Sequence, residues 1–262
     1  MSEYLVAAAV ALAVAILVVT VTFGIARLRG RYDTIDSAWG AGFAVIALAG
    51  FAVEPRGFGG ALVATVLTVV WGVRLSVHIH RRNHGGGEDR RYTEMMARAR
   101  SRPLARMYFR VYLTQAAVMW FVSLPVVLAQ RQADDLGVLA VLGIVVWCVG
   151  FAFEVVGDEQ LRRFKADPGN RGRVLQHGLW RYTRHPNYFG DACVWWGLYL
   201  VAAQHLPGAA TVLSAVLMTW LLARGSGKPI LERHLSESRP GYRDYVARTS
   251  GFVPLPPKKS VA

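Results

Sequence analysis

Residues 136–160 read LGVLAVLGIVVWCVGFAFEVVGDEQ. The stretch opens with eighteen uncharged residues, close to the roughly 20 that a helix needs to cross the hydrocarbon of a bilayer. Six more runs of similar character surround it, at 4–28, 34–53, 59–79, 107–130, 187–205 and 208–223. The reading is an all-α, polytopic membrane protein with seven transmembrane helices. Composition agrees. Hydrophobic residues make up 53% of the 262 and charged residues only 18%, against about a quarter in a soluble domain. A soluble enzyme, a secreted disulfide scaffold and a disordered tail are excluded.

The positions of the basic residues give the topology. Of the 30 Arg and Lys residues, 26 fall after the first run, between Arg81 and Arg106, between Arg162 and Arg184, or from Arg224 onward. Only Arg56 and Arg131 occupy the opposite loops. The positive-inside rule then places the N-terminus outside and the C-terminus in the cytoplasm. This also accounts for the net charge of +13 without nucleic acid as a partner. Glu3 stands where a signal peptide would be basic, so the first run is expected to stay as a span. No internal repeat or separate soluble domain is evident, and residues 1–262 read as one membrane domain. Residues 228–249 alternate apolar and charged groups at helical spacing, as an amphipathic cytoplasmic tail helix would. Arg outnumbers Lys 26 to 4, which points to a GC-rich genome and a bacterial inner membrane. Cys148 and Cys193 lie within apolar runs and read as small hydrophobes.

Ionisable groups inside a membrane helix are costly, about 2.5–3.5 kcal/mol each on insertion scales, and each calls for an account. Glu154, Asp158, Arg162 and Lys165 are spaced four, four and three apart, on one helix face. An ion-paired stripe joining helices and the wall of a polar cavity both fit this pattern, and a run of four leading into a basic loop favours the cavity. Arg74, His78 and Arg81 repeat the spacing. His80 and His84 form an H-x-x-x-H pair, but seven histidines in all are too few for a di-iron site, and no metal is expected. At the start of the second run, Asp33 suits a helix cap, while Asp36 lies deeper on the same face as Gly40, beside Trp39. The densest chemistry is GLWRYTRHPNYFGD, Gly178 to Asp191. Pro186 fits the first turn of a helix, whose free N–H groups would then lie beside Arg181, Arg184 and His185, where a phosphate can bind. Asn187 and Asp191, four apart, carry a polar face into the membrane. No Rossmann or Walker glycine motif is present, so any nucleotide must be held by helices and their cytoplasmic loops.

These residues resemble the steroid 5-alpha-reductase superfamily, most closely its bacterial branch. The likeness covers nearly the whole chain and is most specific from Glu154 to Asp191. The resemblance implies seven spans and NADPH-dependent reduction of an activated C=C bond in a lipid such as a steroid, an isoprenoid or a related enone. The family's Asp-x-x-x-Arg looks like Asp158 and Arg162, followed by Lys165. Its diphosphate- and adenosine-contacting loop resembles the stretch holding Arg171 and Arg173, and its Asn-x-x-x-acid looks like Asn187 and Asp191. Arg81, Glu154, Tyr182, Arg184 and His185 complete the set expected to hold NADPH.

At the substrate end the match departs from the family. Aligning His80-Arg81 with the family's His-Arg puts His78 where the steroid enzymes have a proton-donating tyrosine. The family's Gln-Glu pair has no literal counterpart, and Asp36 occupies the comparable region. His78 is therefore the expected donor to the conjugated oxygen, oriented by Asp36. A membrane methyltransferase using S-adenosylmethionine, similar to isoprenylcysteine carboxyl methyltransferase, is the alternative. Those enzymes share Arg-His-Pro-x-Tyr-x-Gly, here Arg184 to Gly190, and a tail ending Tyr-x-x-Tyr, here Tyr242 and Tyr245. The Asp158–Arg162 stripe, the seven spans and the extra arginines favour the reductase. A non-catalytic lipid-binding protein would lack nucleotide affinity. The lipid and the oligomeric state stay open.

Overall fold

In lipid, backbone N–H and C=O groups must be satisfied within the chain, so long apolar runs become helices. A computed structural model describes residues 2–53, 59–98, 101–132, 136–225, 228, 232, 235–236 and 239–258. Its helices are α1 (Ser2–Arg29), α2 (Thr34–Val53), α3 (Gly60–Asn83), α4 (Arg90–Ala97), α5 (Pro103–Met107) and α6 (Leu113–Ala129), followed by α7 (Val138–Ala166), α8 (Pro186–Ala202), α9 (Leu206–Ala209), α10 (Val212–Ala223) and α11 (Tyr242–Arg248). A π turn, Tyr108–Tyr112, joins α5 to α6. Among the described residues there is no strand, only an isolated bridge between Thr183 and Ser250.

Among the described residues, six stretches are long and apolar enough to cross a membrane: α1, α2, α3, Pro103–Ala129, α7 and Leu206–Ala223. The run expected at 187–205 is α8, which at 17 residues lies at the short end of the spanning range. Helix α7 continues to Ala166, beyond the expected end at 160, because Glu159 pairs with Arg162 at i+3 and Arg163 at i+4. Of the tail expected to be helical over 228–249, positions 229–231, 233–234 and 237–238 lie outside the described residues, as does Arg56. Arg239 and Pro240 are not helical, and Gly241 at φ +77° turns the chain into α11. The helix therefore does not run unbroken to Thr249.

The chain divides into two compact units, Met1–Val141 with Leu198–Ser214, and Leu142–Gly197 with Ala215–Ala262. In the first, α1 buries Ala7, Ala11, Ala15, Val19, Thr22 and Ala26, a stripe of mostly small residues that lets neighbouring helices approach closely. Helices α2 and α3 meet at Gly40 and Gly72, where a β-carbon on either would strike the other's carbonyl oxygen. Phe43 packs edge-on against Trp71, with ring centroids 5.6 Å apart. At the end of α6, the Gln130 amide donates to Ala47 O at 2.7 Å and Thr65 Oγ1 at 2.8 Å, and Arg131 Nη2 donates to Gly50 O at 3.0 Å. These donors at that end thus tie α6 to the backbone of α2 and to a side chain of α3.

In the second unit, α7 carries Gly143, Gly150 and Gly157, and α8 carries Gly190 and Gly197, each set seven residues apart. A β-carbon on Gly150 would come within 2.5 Å of Gly190 O, and one on Gly197 within 2.6 Å of Gly143 O. Backbone contact without side chains is the condition for this packing. Gly150→Val is expected to destabilise the protein by about 1–3 kcal/mol through overpacking. Thermal unfolding in detergent checks this, and an unchanged melting temperature would mean that α7 and α8 do not pack so closely.

Candidate functional site

Beyond α7 the chain is shaped by caps and glycines. Asp167 Oδ1 accepts from Gly169 N at 2.8 Å and its Oδ2 from Asn170 Nδ2 at 3.1 Å, which fixes a 3₁₀ turn over Pro168–Asn170. Gly172, at φ +83°, then sets Arg171 and Arg173 on either side of a tight bend. A second 3₁₀ turn, Gly178–Arg181, is held to α7 by Leu179 N donating to Gln160 Oε1 at 3.0 Å and by Trp180 Nε1 donating to Gly157 O at 3.0 Å. Pro186 then opens α8, as its missing N–H favours.

The C-terminal segment is laced along this loop. Tyr245 donates its hydroxyl hydrogen to Trp180 O at 2.5 Å, Leu255 N donates to Tyr182 O at 3.0 Å, and Thr183 Oγ1 donates to Phe252 O at 2.8 Å. Arg184 is the hub. Its backbone N–H donates to Ser250 O at 2.9 Å, its Nε to Glu232 Oε1 at 2.8 Å, and its Nη1 to Val246 O at 3.1 Å and to Thr249 O. His185 Nε2 reaches the same Glu232 oxygen at 3.0 Å while its ring stacks on Tyr188. Burial would push the Glu232 carboxyl up, but hydrogen bonds from His185 and Arg184 outweigh it and hold the group at about 2. Burial holds the His185 imidazole below its ordinary range, against the pull of Glu232. A neutral imidazole thus donates to an ionised carboxylate, which Arg184 neutralises.

These segments line a cavity of about 480 Å³. Phe164, Leu161, Trp180, Leu235, Tyr242 and Tyr245 supply apolar and aromatic wall. Burial pushes the Tyr242 phenol up to about 12, so it stays a donor. Among the described residues, Lys165, Arg171, Arg173, Arg184 and Arg239 bring five cations to the lining against one acid, Asp167, whose oxygens are engaged in its own turn. Arg171, Arg173 and Arg239 have no carboxylate partner among the described residues.

Of the residues expected from sequence to hold a cofactor, the cavity gathers Lys165, Arg171, Arg173, Arg184 and His185. Glu154, Asp158 and Asp191 are buried in helices, and Asn187 Nδ2 donates to Asp158 Oδ1 at 3.1 Å, but none of the four lines the cavity. Arg162 turns to Glu159 at 2.7 Å with its side chain 64% exposed. Tyr182 is 43% exposed, and Arg81 belongs to the first unit. Glu232, Arg239 and Trp180 are additions that sequence reasoning missed. The basic and acidic residues of the tail were the signal, although nothing local says which partner each one meets.

In the first unit, Asp36 Oδ1 accepts from the Tyr92 hydroxyl at 2.6 Å, and its Oδ2 pairs with Arg91 at 3.0 Å. Tyr92 is 3% exposed, and burial together with the Asp36 charge raises its phenol, which stays protonated. Asp89 caps α4 by accepting from Arg91 N, which brings Arg91 and Tyr92 to this position. His78 sits half-buried on α3.

The family model described as "Protein of unknown function (DUF1295)" matches residues 22–249. The chain is 23% identical over 221 residues to Uncharacterized protein C594.04c of Schizosaccharomyces pombe, a match covering 74% of this chain and 63% of that one. It is 26% identical over 114 residues to 3-oxo-5-alpha-steroid 4-dehydrogenase 1 of Mus musculus, covering 43% of this chain and 41% of the mouse protein. The chain therefore spans less than two thirds of the length of either relative. No solved structure matches.

Proposed function

The chain belongs to the DUF1295 family, within the steroid 5-alpha-reductase superfamily, and on that premise we propose that it is an NADPH-dependent membrane reductase. Its substrate is proposed to be a hydrophobic lipid carrying an activated C=C bond. The topology assigned to it has seven spans, α8 included, with the N-terminus out and the C-terminus cytoplasmic.

One observation carries the choice of cofactor: among the described residues that line an aromatic cavity of about 480 Å³, Arg171, Arg173 and Arg239 have no carboxylate partner and the one lining acid, Asp167, is engaged in its own turn. NADPH is a polyanion with two ring systems, which suits guanidinium forks beside aromatic walls. S-adenosylmethionine carries a sulfonium and an ammonium against one carboxylate, and the same lining repels it. NADPH, when bound, supplies the hydride. The roles of the chain's own residues follow from their present partners. Arg171, Arg173 and Arg239 are available to phosphate oxygens. Arg184 and His185, already bonded to Glu232, hold the tail against the loop that lines the cavity. Asp158 orients the Asn187 amide. His78 is proposed to deliver the proton that completes reduction, and a second reading gives that task to Tyr92, favoured by its 2.6 Å bond to Asp36.

Purified protein should oxidise NADPH when supplied with a hydrophobic enone from the sterol, quinone or isoprenoid classes. The product should have gained two hydrogens by mass spectrometry. Methyl transfer from S-adenosylmethionine to the same lipids, without NADPH oxidation, would overturn the proposal.

A further inference from the structure

In the first unit, α5, the π turn and α6 form one continuous stretch, Pro103–Ala129, of 27 residues. At a rise of about 1.5 Å per residue it is about 40 Å long, more than the roughly 30 Å of hydrocarbon that it has to cross. Measured from Ala129, where the apolar run gives way to Gln130 and Arg131, about 20 residues fill the hydrocarbon and its other edge falls near Arg110. Arg106 then stands one turn further out, at the level of the headgroups. The π turn, Tyr108–Tyr112, lies at this edge. Its two tyrosines face the protein: the Tyr112 hydroxyl donates to Tyr32 O at 2.8 Å, and the Tyr108 hydroxyl lies 2.8 Å from Thr20 Oγ1 on α1. Phe23 packs against both rings, with centroids 5.0 and 5.1 Å away. Phe109 and Arg110, between the tyrosines, are turned outward, and Phe109 is 64% exposed.

Arg106 and Arg110 are exposed and four residues apart, on one side of the helix. Neither makes a side-chain hydrogen bond or an ion pair among the described residues. The acids of the adjoining loops are already engaged: Glu94 with Arg90 and Arg98, Asp89 and Asp36 with Arg91, and Asp33 with Arg31. A cation at the edge of the hydrocarbon is costly unless its head reaches an anion, and here the bilayer is what remains to supply one. The same side of the helix continues inward through Leu113, half-buried, to Ala117, exposed and too small to fill the surface. We propose that Arg106 and Arg110 form a site for an anionic phospholipid. The phosphate is held by the two guanidinium groups, and an acyl chain lies along Phe109, Leu113 and Ala117. The apolar track beside the arginines is what points to a lipid and not to a free phosphate.

Native mass spectrometry of the full-length protein in detergent tests this, with phosphatidylglycerol and phosphatidylcholine of identical acyl chains as probes. The wild-type protein should retain phosphatidylglycerol in preference to the zwitterionic lipid. Arg106→Gln and Arg110→Gln should each weaken phosphatidylglycerol about 5-fold, the share of one basic residue near an anionic surface, and leave phosphatidylcholine unchanged. The Arg106→Lys/Arg110→Lys variant should keep part of the preference, because charge survives without the fork. Glycerol 3-phosphate, which has the phosphate and no acyl chain, should compete poorly with phosphatidylglycerol. Equal retention of the two lipids by the wild-type protein would overturn the proposal, and this reading needs no variant to fold. Undiminished preference in the Arg106→Gln/Arg110→Gln variant would overturn it as well, and effective competition by glycerol 3-phosphate would replace the lipid with a soluble phosphate.

Discussion

His78→Phe is expected to lower single-turnover hydride transfer about 10²–10⁴-fold, the usual share of general acid catalysis, with NADPH affinity unchanged. His78 lies on α3, four residues after Arg74 and three before Arg81, so the three share a face. Phenylalanine keeps the ring volume and removes the donor. His78→Tyr should recover part of the rate by restoring a hydroxyl. Were His78 only a hydrogen-bonded strut, both variants would instead lose melting temperature, with rate falling in step with folded protein. Tyr92→Phe separates the second reading. It deletes the 2.6 Å bond to Asp36 and leaves that carboxylate paired with Arg91. A loss of rate confined to Tyr92→Phe would transfer the donor role from α3 to α4.

Arg184→Ala should destabilise the protein by about 3–5 kcal/mol and abolish tight cofactor binding. The Arg184 side chain is 9% exposed and serves Glu232, Val246 O and Thr249 O at once, so its loss leaves the Glu232 carboxylate with His185 alone and strips two carbonyls of this donor. The tail then loses its anchor, and Arg239, Tyr242 and Tyr245 leave the cavity wall with it. Arg184→Lys should not rescue, since one ammonium cannot replace a planar fork with three acceptors. Acid should act in the same direction. The Glu232 carboxyl is held at about 2 against an ordinary 4.5, so its stabilisation is complete above pH 4.5 and is lost as pH falls toward 2. His185 is depressed below 6.5, so the unfolded chain takes up a proton that the folded one resists, and stability also falls as pH drops below 6.5. The melting temperature of the wild-type protein should therefore decline steadily on acidification, and Glu232→Gln should flatten the lower part of that decline.

The sequence made some of this legible and hid the rest for identifiable reasons. Uninterrupted apolar runs specify spanning helices almost by length alone, and the helix start at Pro186 followed from proline chemistry. Asp158 and Asn187 stood out in the sequence one by one, as polar groups inside apolar runs, but their bond to each other did not. Arg162, expected to hold the cofactor, pairs with Glu159 instead of lining the cavity. Asp158 at i−4 and Glu159 at i−3 compete for Arg162, and the exposed carboxylate wins because it requires no desolvation. The break before α11 was written in Pro240-Gly241, but helical periodicity on either side masked it. Contacts such as Arg184 with Glu232, 48 residues apart, or Asp36 with Tyr92, 56 apart, leave no local trace. They appear only when loops and tail are folded back, which is why the aromatic and basic lining of the cavity was half seen.

Thermal-shift titration of the detergent-purified protein with NADPH and S-adenosylmethionine, alongside an Arg171→Ala/Arg173→Ala variant, tests the cavity most directly. Saturable stabilisation by NADPH, absent with S-adenosylmethionine and greatly weakened in the double variant, is the predicted result. Stabilisation by S-adenosylmethionine alone, or by NADPH with undiminished affinity in the double variant, would contradict the assignment of this cavity to a polyanionic dinucleotide.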